Sequence, residues 1–298
     1  MRIDEILADH RPVFSFEFFP PKTDLGHTNL QTTLDTLRHD HPDFVSVTYG
    51  ALGSTRDRTI EIVKWIKQDL GIEAMAHFTC VGATVDELRA TLSEIEAAGV
   101  ENVLALRGDP PQGETVWTQT EGGLRYSTEL IGLLGEHFDF AVGAAAFPEV
   151  HIEAESPEAD IRFLKAKQDA GASFLITQLF YDNDYYFDFV ARAREAGVCV
   201  PIIPGIMPVT NFRQIKKITD MCKSEIPERF ERELEAREDD ADALADLGVA
   251  YATLQCVDLL ARGAPGIHFY TLNRSPATRA ILAALRASEP WVRAAQPV

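Results

Sequence analysis

Cysteine is scarce in these 298 residues: Cys80, Cys199, Cys222 and Cys256 are the four, far apart and without a CxxC pair. That spacing speaks against a cysteine zinc site or a thioredoxin-like centre and predicts reduced, buried thiols in a cytosolic protein. Basic residues are also few. Lysine and arginine number 28 against 46 aspartates and glutamates, a formal net charge of -18. Such a field repels phosphate backbones and anionic lipid, so neither a nucleic-acid nor a membrane partner is expected, and an anionic small ligand would need a local basic pocket. No apolar run approaches the roughly 18 uninterrupted residues that span a bilayer. The opening MRIDEILADH holds acids and no long apolar stretch, so no signal peptide is expected and the location is read as cytoplasmic. Nucleotide fingerprints are missing as well: there is no GxGxxG between a strand and a helix, no GxxxxGK[ST] and no GxSxG elbow. Any dinucleotide must then be held by loops rather than by a Rossmann crevice.

What is present is a rhythm. Hydrophobic residues make up 46% and charged ones 25%, ordinary values that allow a sizeable core. Short apolar runs recur eight times: VFSFEFF, DFVSVTYG, EAMAHFTC, NVLALRGD, FAVGAAAFP, FLITQLF, PIIPGIMP and GIHFYTLN. Amphipathic stretches separate them, among them Asp57 to Leu70, Thr84 to Gly99, Asp160 to Gly171 and Gly248 to Ala261. Strands alternating with helices call for a parallel sheet, and eight units are the number that closes a barrel. The predicted fold is α/β, a single (β/α)8 TIM-type barrel over residues 1–298, since no linker composition divides the chain. The acidic stretch EIPERFERELEAREDDADALAD, within residues 224–246, is read as a solvated helical insertion before the last strand.

In such barrels chemistry gathers at the C-terminal strand ends. Those ends carry Glu17, Thr48, Tyr49, His77, Thr79, Arg107, Gly108, Asp109, Glu149, His151, Gln178, Tyr270 and Asn273, a convergence that predicts an active site there. Alternation sets Phe14, Phe16 and Phe18 on the helix-packed side and leaves Glu17 facing the barrel mouth. A carboxyl beside aromatic walls is poorly solvated, so Glu17 is expected to hold a proton near neutrality. Arg107 and Asp109, two apart, point the same way and suit a rim ion pair, and Gly108 between them lets backbone N–H groups approach a ligand. PEVHIEAE alternates acids around His151, but no second histidine lies at HxxxH spacing. A hydrogen-bonding role is preferred to a metal, and none is expected.

The runs FSFEFFPPKT, FVSVTYGALGSTRDRT, LALRGDPP, FPEVH, ITQLFYDN, IIPGIMPV and HFYTLNRSPATR, collinear from about Phe14 to Arg279, resemble the bacterial methylenetetrahydrofolate reductase family. The resemblance implies a β/α barrel with FAD across its C-terminal face and NADH or NADPH as electron donor. It further implies reduction of 5,10-methylenetetrahydrofolate to 5-methyltetrahydrofolate in ping-pong order, supplying methyl groups for methionine synthesis, and a homo-oligomer is expected. By position it implies Glu17 as catalytic acid and Asp109 beside both flavin and pterin. Gln178, Gln214 and Arg274 match folate-contacting positions, and Thr48 matches one that meets the nicotinamide nucleotide. Tyr49, Ala51, His77, Arg107, Gly108, Tyr126, Ser127, His151, Ala154, Asp160 and Lys167 match FAD-contacting positions. Two departures stand out. Phe147 replaces the tyrosine of many relatives near the flavin, keeping the aromatic surface without the hydroxyl. Ile218 stands where relatives often carry a phenylalanine expected to stack on folate or nicotinamide. The rival readings are another flavin barrel, such as a proline dehydrogenase-like enzyme, and a non-catalytic barrel, which would be expected to lose Glu17 or Asp109.

Overall fold

The structure, a computed structural model, describes residues 1–9, 11–49, 56–108 and 119–294. Every apolar run forms strand: β1 Val13–Phe18, β2 Phe44–Val47, β3 Ala74–Thr79, β4 Asn102–Leu106, β5 Ala141–Ala146, β6 Phe174–Thr177, β7 Ile202–Ile203, β8 Gly205–Ile206 and β9 Gly266–Tyr270. The seventh run is broken at Pro204, which has no N–H to give to a ladder, so nine strands stand where eight were expected. They form one sheet in the order β7-β6-β5-β4-β3-β2-β1-β9-β8. The two ends of that order are consecutive pieces of one run, so the order closes on itself. With helices between parallel strands, this is the TIM-type α/β barrel.

Contacts group the residues into two compact units: 1–9, 15–145 and 166–175 form the first, and 10–14, 146–165 and 176–298 the second. In the first unit β1 to β4 pair parallel, with Glu17 opposite Ser46 and His77 opposite Leu104. Phe16, Phe18, Phe44 and Phe78 are fully buried, as are the Leu88 and Leu92 of the expected Thr84–Gly99 stripe. The helix there runs Val85–Ala97, and its start is fixed by a capping box: the Glu87 carboxylate accepts from Thr84 N–H at 2.8 Å while Thr84 Oγ1 accepts from Glu87 N–H at 3.4 Å. Polar groups also meet at the opposite, N-terminal strand ends. Lys67 Nζ lies 2.6 Å from Glu73 and 2.9 Å from Glu101, and Asn102 Nδ2 donates to Glu73 at 2.9 Å. Polar convergence at a strand end is therefore not by itself a mark of catalysis.

The second unit holds the acidic stretch, which is helical and largely exposed as expected but also buries one apolar edge. Its Glu228–Glu235 helix buries Phe230 and Leu234 in a cluster with Tyr181, Met207, Val209, Phe212, Ile215 and Leu244. The Phe230 ring stacks on Tyr251 at 3.7 Å, and Tyr251 OH donates to Tyr181 O at 2.6 Å. Single apolar residues four apart, Ile226, Phe230 and Leu234, were hidden by the surrounding charge. The Ala241–Ala261 helix starts well before Gly248 because Asp240 caps it, accepting from Ala243 N–H at 3.0 Å. By length and composition it could cross a membrane, yet Leu244, Gly248, Ala252, Cys256, Leu259 and Leu260 pack inside the unit. The helix expected from Asp160 begins at Pro157 instead, proline suiting the first turn. Of the cysteines, Cys80 and Cys256 are buried and Cys222 half-buried, while Cys199 is exposed, against expectation.

Candidate active site

In the first unit, alternate strands bring Glu17 and His77 together. Glu17 Oε2 lies 3.3 Å from His77 Nε2, with side-chain exposures of 17% and 6%. The pair sits in a layer built by β1 and β3, the alternate-strand layering of barrel interiors. Tyr49 follows β2 and packs against Phe78 at 5.4 Å between ring centres. Thr48 joins it to β1, its N–H donating to Phe18 O at 2.8 Å. Arg107 and Gly108 lie just past β4, whose regular strand stops at Leu106. Val81 N–H donates to Arg107 O at 3.0 Å, drawing the ends of β3 and β4 together. At Gly108 (φ 94°) a Cβ would meet Val81 Cγ1 at 2.4 Å, so the left-handed backbone and the close approach of Val81 both call for glycine. Asp109 and Ala51 lie outside the described residues. Tyr126, 46% exposed, precedes the Ser127–His137 helix under the Arg125 guanidinium at 5.0 Å. Lys167 Nζ donates to Ala145 O at 2.7 Å, which holds a cation beside the C-terminal end of β5.

The second unit brings together Phe147, His151, Ala154 and Asp160. A turn follows β5, closed by Val150 N–H to Phe147 O at 3.1 Å. Phe147 meets the His151 ring edge-on at 4.5 Å. The buried Asp160 accepts from His151 N–H at 3.2 Å, and Ala154 N–H donates to His151 O at 2.9 Å. Glu153 N–H donates to His151 Nδ1 at 3.1 Å, so the neutral ring carries its proton on Nε2. Gln178 follows β6; its N–H donates to Ala146 O at 2.8 Å, and its Oε1 accepts from Leu179 N–H at 2.9 Å. The amide NH₂ remains as the side chain's donor, with no acceptor for it among the described residues. Gln214 is exposed on the first turn of the Phe212–Cys222 helix, capped by Asn211. Ile218, on the same helix, packs against the cluster of Phe212 and Ile215. Arg274 is exposed after two left-handed residues, Leu272 (φ 50°) and Asn273 (φ 60°), the kind of strain that collects at functional loops.

Two features of this unit escaped the sequence. Val150 adopts φ 72°, a genuine outlier for a β-branched residue. Beside it Glu149 is half-buried and accepts from Glu225 N–H at 2.8 Å. Burial, with the nearby Glu225 and Asp182, pushes its pKa up to about 7. Glu225 in turn accepts from Tyr185 OH at 2.9 Å. The only signal in the sequence was the PEVH acid itself, read there as one of several polar strand ends.

Comparison with known proteins meets these residues from outside. The family model described as methylenetetrahydrofolate reductase matches residues 2–286. The 5,10-methylenetetrahydrofolate reductases of Salmonella typhimurium and Escherichia coli are each 44% identical over 268 residues, 90% of this chain and 88% of theirs. A probable methylenetetrahydrofolate reductase (NADH) of rice is 39% identical over 292 residues, 94% of this chain and 49% of that protein. The chain thus spans about half the length of the plant relatives it matches. Among solved structures, an uncharacterized Clostridium thermocellum protein that binds two copies of 5-methyl-5,6,7,8-tetrahydrofolic acid superposes with a TM-score of 0.64 at 17% identity, covering 97% of this chain and 99% of that one. At that identity the likeness bears on the barrel fold alone. The extent of the family match and the identity to the bacterial enzymes decide the assignment: the chain belongs to the methylenetetrahydrofolate reductase family.

Proposed function

We propose that this chain reduces 5,10-methylenetetrahydrofolate to 5-methyltetrahydrofolate, with FAD as bound cofactor and NADH or NADPH as donor, as one catalytic domain in the cytoplasm. The product would supply methyl groups for methionine synthesis. NADH is the donor named for the plant relatives. A homo-oligomer that binds neither nucleic acid nor membrane completes the reading, in keeping with the net charge of -18.

The observation that carries it is the Glu17–His77 pair. The folate methylene bridges two nitrogens in a ring, and opening that ring requires protonating a weakly basic, aniline-like nitrogen. Glu17 is the proton source. Its carboxyl is largely shielded from water beside the buried His77, with Oε2 3.3 Å from Nε2, and from there it gives its proton to the substrate nitrogen. Asp109, assigned by the resemblance to contact both flavin and pterin, is in this reading the second catalytic residue, acting through its negative charge near the flavin.

The residues present fit FAD. Gly108 adds no side chain of its own where the chain leaves β4, and Arg107 and Lys167 supply cations at strand ends in an otherwise acidic chain. The resemblance assigns Thr48 to the nicotinamide nucleotide and Tyr49, Ala51, His77, Tyr126 and Ser127 to FAD. It assigns Phe147, His151, Ala154 and Asp160 to FAD as well, grouped on the turn after β5 and the helix that follows it. FAD, when bound, supplies the hydride transfer between nicotinamide and folate. Gln178, Gln214 and Arg274 orient the folate.

The test is an absorbance spectrum of purified protein reconstituted with FAD. NADH should bleach the band near about 450 nm, a property of the cofactor, and methylenetetrahydrofolate should restore it. Folate reduction without FAD, or a bleached band that folate leaves unchanged, overturns the reading.

A further inference from the structure

The turn after β5 is held in a conformation its own sequence disfavours. Val150 sits at φ 72°, and strain of this kind persists only where the surroundings over-determine it. Both neighbours are tied down. On one side His151 N–H donates to Asp160 at 3.2 Å. On the other, Glu149 Oε2 accepts from Glu225 N–H at 2.8 Å.

Glu225 belongs to the C-terminal cap of the Phe212–Cys222 helix. Lys223 is left-handed (φ 60°), and Ser224 N–H returns to Thr219 O at 3.1 Å. Ser224 Oγ donates to Leu179 O at 2.9 Å, and Tyr185 OH donates to the Glu225 carboxylate at 2.9 Å. The Glu149 carboxyl is therefore a strut from the His151 turn to the end of this helix, within one compact unit. Its position is unfavourable for an acid. Oε1 is buried without a hydrogen-bond partner among the described residues, and the groups facing it are Glu225, Asp182 and Tyr185. Burying a carboxyl among other acids costs free energy, and the bond to the Glu225 amide is what offsets it.

We propose that Glu149 is a positioning residue, whose bond to Glu225 locks the helix carrying Gln214 and Ile218 to the turn carrying His151, so that substrate helix and cofactor turn hold one fixed geometry. This rests on the reading above, in which Gln214 faces folate and His151 faces the flavin.

The experiment compares FAD-loaded wild type, Glu149→Ala and Glu149→Gln, by amide exchange over residues 219–226 and by steady-state kinetics. In Glu149→Ala the amides around Ser224 and Glu225 should exchange about fivefold to tenfold faster, the ratio that one lost hydrogen bond is worth. The folate KM should rise by a similar factor, with kcat and the NADH KM within about twofold of wild type. Glutamine keeps an acceptor oxygen for the Glu225 amide, so Glu149→Gln should restore both readouts. Unchanged exchange or an unchanged folate KM in Glu149→Ala overturns the proposal. So does a Glu149→Gln variant that fails like alanine with both KM values raised alike, which marks a general structural role. A wild type that does not reduce folate overturns the underlying reading, and the exchange comparison still judges the strut itself.

Discussion

Glu17 and Glu149 are both acids placed where water is scarce, but their partners give them different work. Glu17 faces a histidine nitrogen at 3.3 Å, an arrangement that can pass a proton on; Glu149 faces a backbone amide and other acids, an arrangement that can only hold. In the proposed reaction Glu17→Gln preserves size and hydrogen-bonding shape but cannot deliver the proton for ring opening. Rapid mixing with NADH should give nearly normal reduction, and the folate half-reaction should slow by at least about 10²-fold, the low end for general acid catalysis. Equal losses in both halves would make Glu17 a packing residue. For Glu149 the consequence lies in stability. Its folded pKa, about 7, stands above the ordinary value of a glutamate, so folding favours the protonated form. Stability is then highest below the unfolded pKa and falls as pH rises through the window up to about 7. Thermal melts of wild type and Glu149→Gln should coincide near pH 4 to 5 and separate by about pH 8, with the glutamine variant the more stable. A difference that does not change with pH would remove the shift.

At the scale of elements, the acidic helix Glu228–Glu235 is a buttress. Its charged face pairs with the Phe212–Cys222 helix through Lys216–Glu231, and Arg213 of that helix pairs with Glu238 just beyond. Exposed pairs of this kind contribute little. Phe230, buried and stacked on Tyr251, contributes more: Phe230→Ala should cost about 3–5 kcal/mol in urea unfolding, where a solvated insertion would lose almost nothing. Gly248 makes a second case. Within a helix, Gly→Ala normally stabilises by about 0.8–1.0 kcal/mol. Here the new Cβ would meet Val209 O at 1.8 Å, and relieving an overpacked contact costs about 1–3 kcal/mol or more. The clash wins, so Gly248→Ala should lower the urea midpoint; a raised midpoint would mean that the helix shifts freely.

The molecule as a whole carries -18 charges on 298 residues, and that self-repulsion opposes compaction. Salt screens it over a Debye length of about 10 Å at 0.1 M. Raising NaCl at fixed FAD should therefore raise Tm. A falling Tm would show that ion pairs such as the Lys67, Glu73 and Glu101 cluster outweigh the net repulsion. The barrel itself is the frame against which both terms act, its sheet order closed through the run that Pro204 divides.

Strand positions were legible in the sequence because each run is apolar enough to be buried whichever neighbour it finds. β1, β3 and β5 stand where the runs VFSFEFF, EAMAHFTC and FAVGAAAFP lie. Glu17 was legible for a related reason: alternation with three phenylalanines leaves it only one face. Contacts made across many residues were not legible. The Glu17–His77 approach depends on the register that β2 sets between β1 and β3, and the burial of Phe230 depends on a tyrosine on another helix. The Glu149–Glu225 bond depends on a left-handed valine that no propensity would choose. Local pattern decides which residues must leave water; only the tertiary structure decides which polar groups then meet, because that is a matter of distances between segments the chain sets far apart.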